Sequence, residues 1–313
     1  MSGRKPLIVI AGPTAVGKTG LSIEFCKEFH GEVVSADSMQ VYRMMDIGSA
    51  KIREDEMQGV PHHLISVLDP REPFNVAVFQ KLAKQAISGI QARGNLPVLV
   101  GGTGFYIQSV VRDIDFTENP ADLTIRERLM KLADDEGAEA IHALLLERDP
   151  VSAELIDRNN IKRMVRALEY LEMTGEPISV HNAREAQRES PFDVHFYVLH
   201  MDREKLYQRI GERVDLMMQE GLLAEVQRLV DYGCTPEMTA MQGLGYKQLY
   251  AYLLGKCSLS QAVEDIKAET RHFAKRQITW FKREKNVRWI DIEKENAIDV
   301  LRTWNIGSGT EAF

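Results

Sequence analysis

The chain has 313 residues, of which 44% are apolar and 27% charged, and its formal net charge at pH 7 is −7. These fractions are typical of globular proteins and exclude collagen-like, mucin-like and wholly disordered chains. The three cysteines (Cys26, Cys234, Cys257) are too few and too widely spaced for a disulfide framework or a zinc site. No apolar run approaches the roughly 20 residues needed to span a bilayer. We therefore expect a cytoplasmic protein without a membrane segment.

The first third of the chain alternates strand-like and helix-like segments. Buried strands are predicted at Leu7–Ile10, Glu32–Ala36 and Leu96–Val100, and helices at Lys18–Phe29 and Phe74–Ala92. Strands separated by helices indicate right-handed βαβ units and a parallel sheet. The predicted fold class is therefore α/β.

From about residue 120 the sequence is charged and favours helix, with helices predicted at Ala121–Asp135, Ala138–Glu147 and Asn160–Thr174. Strand character returns at His195–His200, and a final strand is predicted at Val287–Ile292 after a mostly helical stretch. We expect three parts: the first part of an α/β core at 1–118, an inserted small helical domain at 119–190, and at 191–313 the second part of the core with basic C-terminal helices.

The first predicted strand runs into a complete G-x-x-x-x-G-K-[ST] motif, and the first predicted helix follows it. Glycines let successive backbone N–H groups turn toward an anionic phosphate, and the helix N-terminus adds positive potential. Lys18 supplies a positive charge, and the hydroxyl of Thr19 is placed to bind Mg²⁺. The motif predicts a P-loop NTPase-like core whose ligand carries at least a pyrophosphate. The predicted loop residues are Gly12, Pro13, Thr14, Ala15, Val16, Gly17, Lys18 and Thr19.

The position of the acidic residue separates this chain from ordinary ATPases and GTPases. Those enzymes carry a second acid that helps to hold Mg²⁺, but here the strand Leu96–Val100 ends in Gly-Gly-Thr-Gly without a carboxylate. Asp37 instead follows the second strand. Because parallel strands end at one crevice, Asp37, Thr103 and the phosphate loop should converge there, with Asp37 facing the acceptor. Capping roles for Asp37 and Thr103 remain alternatives.

Six segments now identify a resemblance: GPTAVGKT, SADSMQVYRMMDIGSAK, GVPHHLI, VGGTGFYI, IKRMVRALE and RQITWF. Their content and order resemble the tRNA dimethylallyltransferases (tRNA isopentenyltransferases) over roughly residues 6–290. Ser49 stands where the family often has Thr, and the absence of zinc-finger cysteines points to the bacterial type. The resemblance implies transfer of a dimethylallyl group from dimethylallyl pyrophosphate to N6 of the adenine 3′-adjacent to the anticodon (tRNA position 37), with Mg²⁺ as cofactor.

The chemistry of that reaction matches residues of the predicted site. The leaving pyrophosphate must be neutralised, for which we select Lys18, Thr19 with Mg²⁺, and Arg213. The exocyclic amine of adenine is a weak nucleophile, so a carboxylate must orient it and accept its proton. By resemblance, Asp37 takes that role. Residues that by resemblance contact the tRNA near the reacting base are Asp37, Ser38, Met39, Gln40, Thr103 and Arg126, with the Gln40 amide pairing to an adenine edge.

Two local surpluses of positive charge in an acidic chain predict surfaces for the anticodon stem-loop. One lies on a C-terminal helix, where Lys267, Arg271 and Lys275 share an arc beside an apolar face. The other lies on an insertion helix and matches a tRNA-binding stretch of the family: Lys162, Arg163 and Arg166. A loop also matches the family at Gly243, Gly245, Tyr246 and Lys247, and we expect Tyr246 to stack on a base. Solvated helix faces remain the alternative.

Other functions explain less of the sequence. A P-loop small-molecule kinase would use the loop for ATP and Asp37 for a substrate hydroxyl, but would leave the helical insertion unexplained. A nucleotide-binding switch has no use for Asp37, and a prenyltransferase for free adenine nucleotides has no use for the basic surfaces. His62-His63, Met217-Met218 and Cys26 are predicted to be structural, and the chain is expected to be a monomer.

Overall fold

The computed structural model describes residues 4–116 and 123–305. Within these ranges, residues up to 111 and from 190 onward form one compact unit, and residues from 112 to 189 form another. The second unit therefore begins before the expected boundary at 119. The first two residues of the helix predicted at Ala121–Asp135 lie outside the described residues.

A parallel six-stranded sheet organises the first unit, and the predicted α/β class is confirmed. Its order is β3-β2-β4-β1-β5-β6, and every neighbouring pair is parallel. The two-residue strand β3 was not predicted because it is too short to show a periodicity. The strands are β1 (Pro6–Ala11), β2 (Gly31–Ala36), β3 (His62–His63), β4 (Leu96–Gly101), β5 (Asp193–His200) and β6 (Val287–Asp291).

Helices surround this sheet and also build the second unit. In chain order they are α1 (Lys18–Glu28), α2 (Val76–Ala92), α3 (Gly104–Val111), α4 (Leu123–Glu136), α5 (Ala138–Arg148), α6 (Pro150–Leu155), α7 (Ile161–Thr174), α8 (Ile178–Ala186), α9 (Arg203–Gln219), α10 (Leu222–Asp231), α11 (Tyr246–Leu253), α12 (Leu259–Phe281) and α13 (Ala297–Arg302). Helices α4 to α8 belong to the second unit. In the described residues no helix combines the length and the apolar character needed to cross a bilayer.

The central strands β1 and β4 are buried on both faces, as their continuous apolar runs predicted. In β1, Leu7 and Val9 belong to one hydrophobic core, whereas Ile8 and Ile10 belong to the core on the opposite face. The second unit has a core of its own, built by α4, α5, α6 and α7. The short helices α6 and α8 were not predicted because two and a half turns or fewer give little periodic signal.

One buried carboxylate at the amino-terminal end of β2 supports the structural role predicted for His62-His63. Glu32 accepts hydrogen bonds from Arg93 Nη2 (2.7 Å) and Asn95 Nδ2 (2.7 Å), and its Oε2 lies 2.6 Å from His63 Nε2. Burial raises the pKa of Glu32, but these hydrogen bonds outweigh it and hold the pKa at about 2. The cluster therefore ties β2, β3 and the end of α2 together.

The strand register brings the predicted site loops to one end of the sheet. Gly101 of β4 pairs with Ala11 of β1 on one side and with Ala36 of β2 on the other. The phosphate loop, Asp37 and the Gly-Gly-Thr-Gly turn therefore begin at the same level, next to one another. The convergence expected from the sequence is confirmed.

Candidate active site

The phosphate loop between β1 and α1 has a backbone that only glycine-rich sequences adopt easily. Gly12 and Gly17 have φ values of +149° and +101°, and Ala15 also has a positive φ of +67°. A Cβ at Gly12 would lie only 2.7 Å from the carbonyl oxygen of Leu199. The loop therefore wraps closely over the end of β5 and opens into the N-terminus of α1, as an anion-binding loop requires.

Lys18 lies at the centre of the site. Its Nζ donates hydrogen bonds to the carbonyl oxygens of Gly12 (3.0 Å) and Pro13 (2.8 Å). Its pKa is lowered to about 8, chiefly by burial; the charge of Asp37 opposes this shift, and that of Arg213 adds to it. Both side chains must lie near the ammonium group to have these effects. The structure thus brings together three residues that the sequence predicted for one site.

Arg213, on α9, is a half-buried arginine that faces other cations. Burial lowers its pKa, and the neighbouring Arg209 lowers it further. Among residues 4–116 and 123–305, no carboxylate forms an ion pair with Arg213, and no hydrogen bond restrains its guanidinium. Positive groups held close together without a counter-ion are unfavourable unless an anion binds between them. Lys18 and Arg213 therefore define an anion site at the mouth of the loop.

Asp37 combines the two roles that the sequence left open. Its Oδ1 accepts hydrogen bonds from the backbone N–H groups of Met39 (2.8 Å) and Gln40 (3.3 Å), so it caps the turn that follows β2. Its Oδ2 has no hydrogen-bond partner within the described parts of the chain. One oxygen therefore fixes the side chain, and the other is available to a ligand.

Thr103 has the capping role that was one of its two alternatives. Its carbonyl oxygen accepts the N–H groups of Tyr106 (3.0 Å) and Ile107 (3.1 Å), which begins α3, and its own N–H donates to the Ala36 carbonyl at 3.4 Å. This places Thr103 directly beside Asp37. Its half-buried side chain is thus positioned at the crevice, and the predicted tRNA contact stays a prediction.

Gln277 of α12 is a site residue that the sequence did not single out. It is buried, and its Oε1 accepts the backbone N–H of Thr14 at 2.9 Å while its Nε2 donates to the Gly102 carbonyl at 3.0 Å. A buried amide on an otherwise apolar helix face was the available signal. Gln277 braces the phosphate loop against the turn after β4.

The structure contradicts the adenine pairing expected of Gln40. Its Oε1 accepts from Ser35 Oγ (3.0 Å), and its Nε2 donates to the carbonyl oxygens of Ser49 (3.3 Å) and Ala50 (3.4 Å). Because both ends of the amide are engaged, the expectation that it reads a base edge is wrong for this arrangement. Gln40 instead holds the segment 37–50 against β2.

The base stacking expected of Tyr246 is also wrong. Tyr246 is 0% exposed, and its ring lies so close to Gly48 that a Cβ there would be 2.6 Å from it. Its hydroxyl donates to Glu225 Oε1 at 2.7 Å, and burial next to that carboxylate raises the pKa of Tyr246 well above its ordinary value. Tyr246 is therefore a buried support of the loop and cannot present its ring to a base.

Glu225 of α10 is the second site residue that the sequence did not reveal. It is 1% exposed, and its carboxylate accepts the consecutive backbone N–H groups of Asp46 (2.9 Å), Ile47 (2.8 Å) and Gly48 (3.0 Å). Such a row of N–H groups is a strong anion-binding arrangement. Glu225 therefore fixes the far end of the segment that begins at Asp37.

The two segments predicted to bind tRNA pack against each other. A Cβ at Gly243 would lie 2.8 Å from Met39 Sδ, so Gly243 allows the Met39 side chain to lie against the loop before α11. Ser38 is half-buried beside them, Gly245 has a φ of +90°, and Lys247 is exposed. Segment 37–40 and the loop that begins at Gly243 thus pack together.

The basic arc of α12 is smaller than predicted. Lys267 Nζ pairs with Asp215 of α9 at 2.7 Å and with Glu264 at 3.4 Å, and only 17% of its side chain is exposed. Its expected role as a free phosphate contact is therefore wrong; it links α12 to α9. Arg271 is half-buried and Lys275 exposed, and neither forms an ion pair within the described ranges. These two remain available for an anionic partner.

In the second unit the predicted basic residues fall into two kinds. Lys162 and Arg163 are exposed at the start of α7 and form no ion pair among the residues described. Arg126 of α4 and Arg166 of α7 both pair with the buried Glu169, at 2.7 Å and 3.0 Å. Both kinds leave positively charged groups in contact with solvent.

The residues present fit a Mg²⁺ ion that is held mainly by its substrate. Thr19 is exposed at the N-terminus of α1, and its hydroxyl has no hydrogen-bond partner within the described residues. No group of three His, Cys, Asp or Glu side chains in the described parts of the chain could hold a metal ion by itself. Mg²⁺ commonly keeps several waters and binds through one or two protein groups plus substrate phosphates.

A parallel α/β sheet with a phosphate loop at its carboxyl edge, completed by an unpaired arginine, defines a P-loop protein that binds a phosphorylated substrate. The model of the IPP transferase family matches residues 40–284, and that of the isopentenyl transferase family matches residues 5–69. The chain belongs to the IPP transferase family. The resemblance identified from the sequence is thereby confirmed.

Relatives and solved structures agree with this assignment. The tRNA dimethylallyltransferase of Lachnoclostridium phytofermentans is 53% identical over 293 residues, which cover 94% of each chain. The tRNA isopentenylpyrophosphate transferase of Bacillus halodurans has a TM-score of 0.73 at 42% identity, covering 98% of this chain and 96% of that one. A eukaryotic dimethylallyltransferase acting on tRNA has a TM-score of 0.80 at 30% identity, covering 98% and 81%. The chain is accordingly an enzyme of the prenyl transferase class.

Proposed function

We propose that this enzyme transfers a dimethylallyl group from dimethylallyl pyrophosphate to N6 of the adenine at tRNA position 37 and releases pyrophosphate. The observation that carries the proposal is the juxtaposition of two cations, of which the arginine has no ion-pair partner in the described residues, and a carboxylate with a free oxygen. Lys18 and Arg213 form the former, and Asp37 provides the latter. Because one chain supplies all these groups, a monomer suffices for activity.

The donor half of the site stabilises the leaving group. As the bond between the allylic carbon and the pyrophosphate oxygen breaks, the electron pair remains on pyrophosphate, where Lys18 and Arg213 neutralise the growing charge. Lys18 already donates to the loop carbonyls of Gly12 and Pro13, so a small movement of its flexible side chain brings the ammonium to a phosphate. The Thr19 hydroxyl would help to hold a Mg²⁺ ion, which would supply further charge neutralisation.

The acceptor half prepares a weak nucleophile. Oδ2 of Asp37 orients the exocyclic amine and accepts its proton as the new carbon–nitrogen bond forms, a contribution of roughly 10²–10⁴-fold. Oδ1 keeps the carboxylate in place through the turn N–H groups of Met39 and Gln40. Ser38, Met39 and Thr103, which follow β2 and β4, would contact the tRNA near the reacting amine.

Basic groups support binding of the anticodon stem-loop. The target adenine has to leave its stack to reach the crevice, at a cost of a few kcal/mol that backbone contacts must offset. Arg271, Lys275 and Lys247 offer such contacts on the first unit, and Lys162 and Arg163 on the second. These exposed cations favour a tRNA substrate over a free nucleotide.

A transfer assay tests this proposal. The protein is incubated with labelled dimethylallyl pyrophosphate and Mg²⁺, without nucleoside triphosphate, and with either an anticodon stem-loop or AMP. We expect label in the stem-loop alone, and none when guanine replaces the adenine at position 37. Label in AMP would identify a free-nucleotide prenyltransferase, and an absolute requirement for ATP with phosphorylation of an acceptor would identify the kinase; either outcome overturns the proposal.

A further inference from the structure

A buried carboxylate joins two of the arginines of the second unit. Glu169, on α7, is 0% exposed, and its Oε2 accepts from Arg126 Nη2 of α4 at 2.7 Å and from Arg166 Nη1 of α7 at 3.0 Å. The two arginine side chains are themselves 44% and 51% exposed. Each guanidinium thus donates one hydrogen bond to the carboxylate while its side chain stays about half exposed.

The second oxygen of this carboxylate is unusual. Glu169 Oε1 is buried and has no hydrogen-bond partner within the described residues. Buried polar atoms nearly always have partners, and a buried carboxylate is costly unless well paired. The two arginines alone therefore balance the charge of Glu169 here. An apolar side chain at this position would avoid the free-energy cost of burying a charge, so stability alone does not explain the carboxylate.

We propose that Glu169 is a positioning residue, which holds Arg126 and Arg166 as a fixed pair of guanidinium forks for phosphate groups of the tRNA. This inference rests on the proposed function. A free arginine loses side-chain entropy when it binds a phosphate, whereas an arginine already fixed by a carboxylate has lost that entropy on folding. The planar fork can bind a carboxylate along one edge and a phosphate along another.

A neighbouring cluster on the same helices provides a matched control. Glu172, three residues further along α7, accepts hydrogen bonds from Arg128 of α4 and from Arg148 of α5. It is also a carboxylate between two arginines, but 19% of its side chain is exposed. Neither of its arginines lies among the residues predicted to bind tRNA. A substitution at Glu172 therefore changes the charge of the unit by the same amount without touching the proposed fork.

The sign of the effect of Glu169→Gln separates positioning from simple charge. If charge alone matters, removal of a negative group near phosphates should tighten binding of an anticodon stem-loop. If Glu169 positions the arginines, binding should weaken by about tenfold, because two side chains must be ordered on binding. The slope of log affinity against log salt should stay unchanged, since both arginines keep their charge. Glu172→Gln should leave binding unchanged or slightly tighter.

Two further variants complete the test. One removes the arginine forks directly, and the other distinguishes failure of this inference from failure of the proposed function. The double substitution of Arg126 and Arg166 by Lys conserves charge but removes the forks, and we expect the same loss. Equal or tighter binding by Glu169→Gln, with Arg126→Ala weakened, overturns the positioning role alone. Unchanged binding by Arg126→Ala instead contradicts the proposed tRNA contact itself. Thermal unfolding and affinity for pyrophosphate, measured in parallel, confirm that each variant is folded.

Discussion

The substitution Arg213→Ala should lower activity without lowering stability. The charges that face Arg213 are those of Lys18 and Arg209, both positive, and no carboxylate in the described residues pairs with it. Truncating the arginine therefore leaves no buried acid uncompensated, and it removes repulsion from the phosphate loop. We expect the free energy of unfolding to stay the same or to rise.

Transfer should nonetheless fall steeply in this variant. A hydrogen bond from a charged donor to the leaving pyrophosphate contributes about 1.5–3 kcal/mol. Loss of that interaction in the transition state corresponds to a rate about 10- to 150-fold lower. Single-turnover transfer of a labelled dimethylallyl group to a stem-loop, with both substrates saturating, measures this rate, and urea unfolding at pH 7 measures the stability.

Lys205→Ala on the same helix provides the control. Lys205 pairs with Glu293 at the surface, where solvent screens the ion pair and makes it weak. Its loss should lower stability slightly and leave transfer unchanged, the opposite pattern to that of Arg213→Ala. Wild-type transfer by Arg213→Ala, or a marked loss of its stability, would refute the assignment of Arg213 to the anion site.

Three further predictions concern Asp37, Glu32 and Tyr246. Asp37→Asn keeps an oxygen for the Met39 N–H, so the fold should persist while single-turnover transfer falls about 10²-fold or more; a wild-type rate removes Asp37 from the mechanism. Because the pKa of Glu32 is depressed to about 2, the cluster of this carboxylate with Arg93, Asn95 and His63 stabilises the fold fully above pH 4.5. That stabilisation is lost as the pH falls toward 2. The lost stabilisation is about 3 kcal/mol. The free energy of unfolding of Glu32→Gln should therefore change less with pH over this range than that of the wild type, and an unchanged profile would contradict the pairing. Tyr246→Phe loses one hydrogen bond to Glu225 and should cost about 1 kcal/mol in urea unfolding with transfer unchanged; a selective loss of tRNA binding would restore a direct role for this side chain.

The sheet and the phosphate loop were predictable because their signals are local. A run such as Leu7–Ile10 is apolar at every position, which is typical of a strand covered on both faces. The glycines and Lys18 follow it directly, so the chain order of the motif is also its order in space. Convergence of Asp37 with this loop followed from the parallel sheet alone, without knowledge of any side-chain contact.

The residues that support the site were hidden because their partners are far away in the sequence. The carboxylate of Glu225 binds the N–H groups of residues 46–48, which lie about 180 residues earlier. A glutamate in an amphipathic helix normally indicates a solvated face. Helical periodicity places Gln277 on the buried side of α12, but it cannot show that the backbone N–H of Thr14 donates to its side chain.

Exposed charges were predicted less well for a related reason. Periodicity places Lys267 on the same arc as Arg271 and Lys275, but it describes one helix in isolation. In the structure Asp215 of α9 forms an ion pair with Lys267 and neutralises the charge of that lysine. A basic arc read from one helix is therefore an upper limit on the positive surface, reduced by every acidic side chain on the helices packed beside it.

The helix α12 unites the two halves of the proposed reaction. Gln277 on its buried side holds the Thr14 N–H and the Gly102 carbonyl, one in the donor loop and one in the turn that leads to Thr103. Arg271 and Lys275 lie on the same helix, six and two residues before Gln277, without carboxylate partners in the described residues. One helix of 23 residues therefore carries both a support of the donor loop and two of the cations proposed to contact the tRNA backbone.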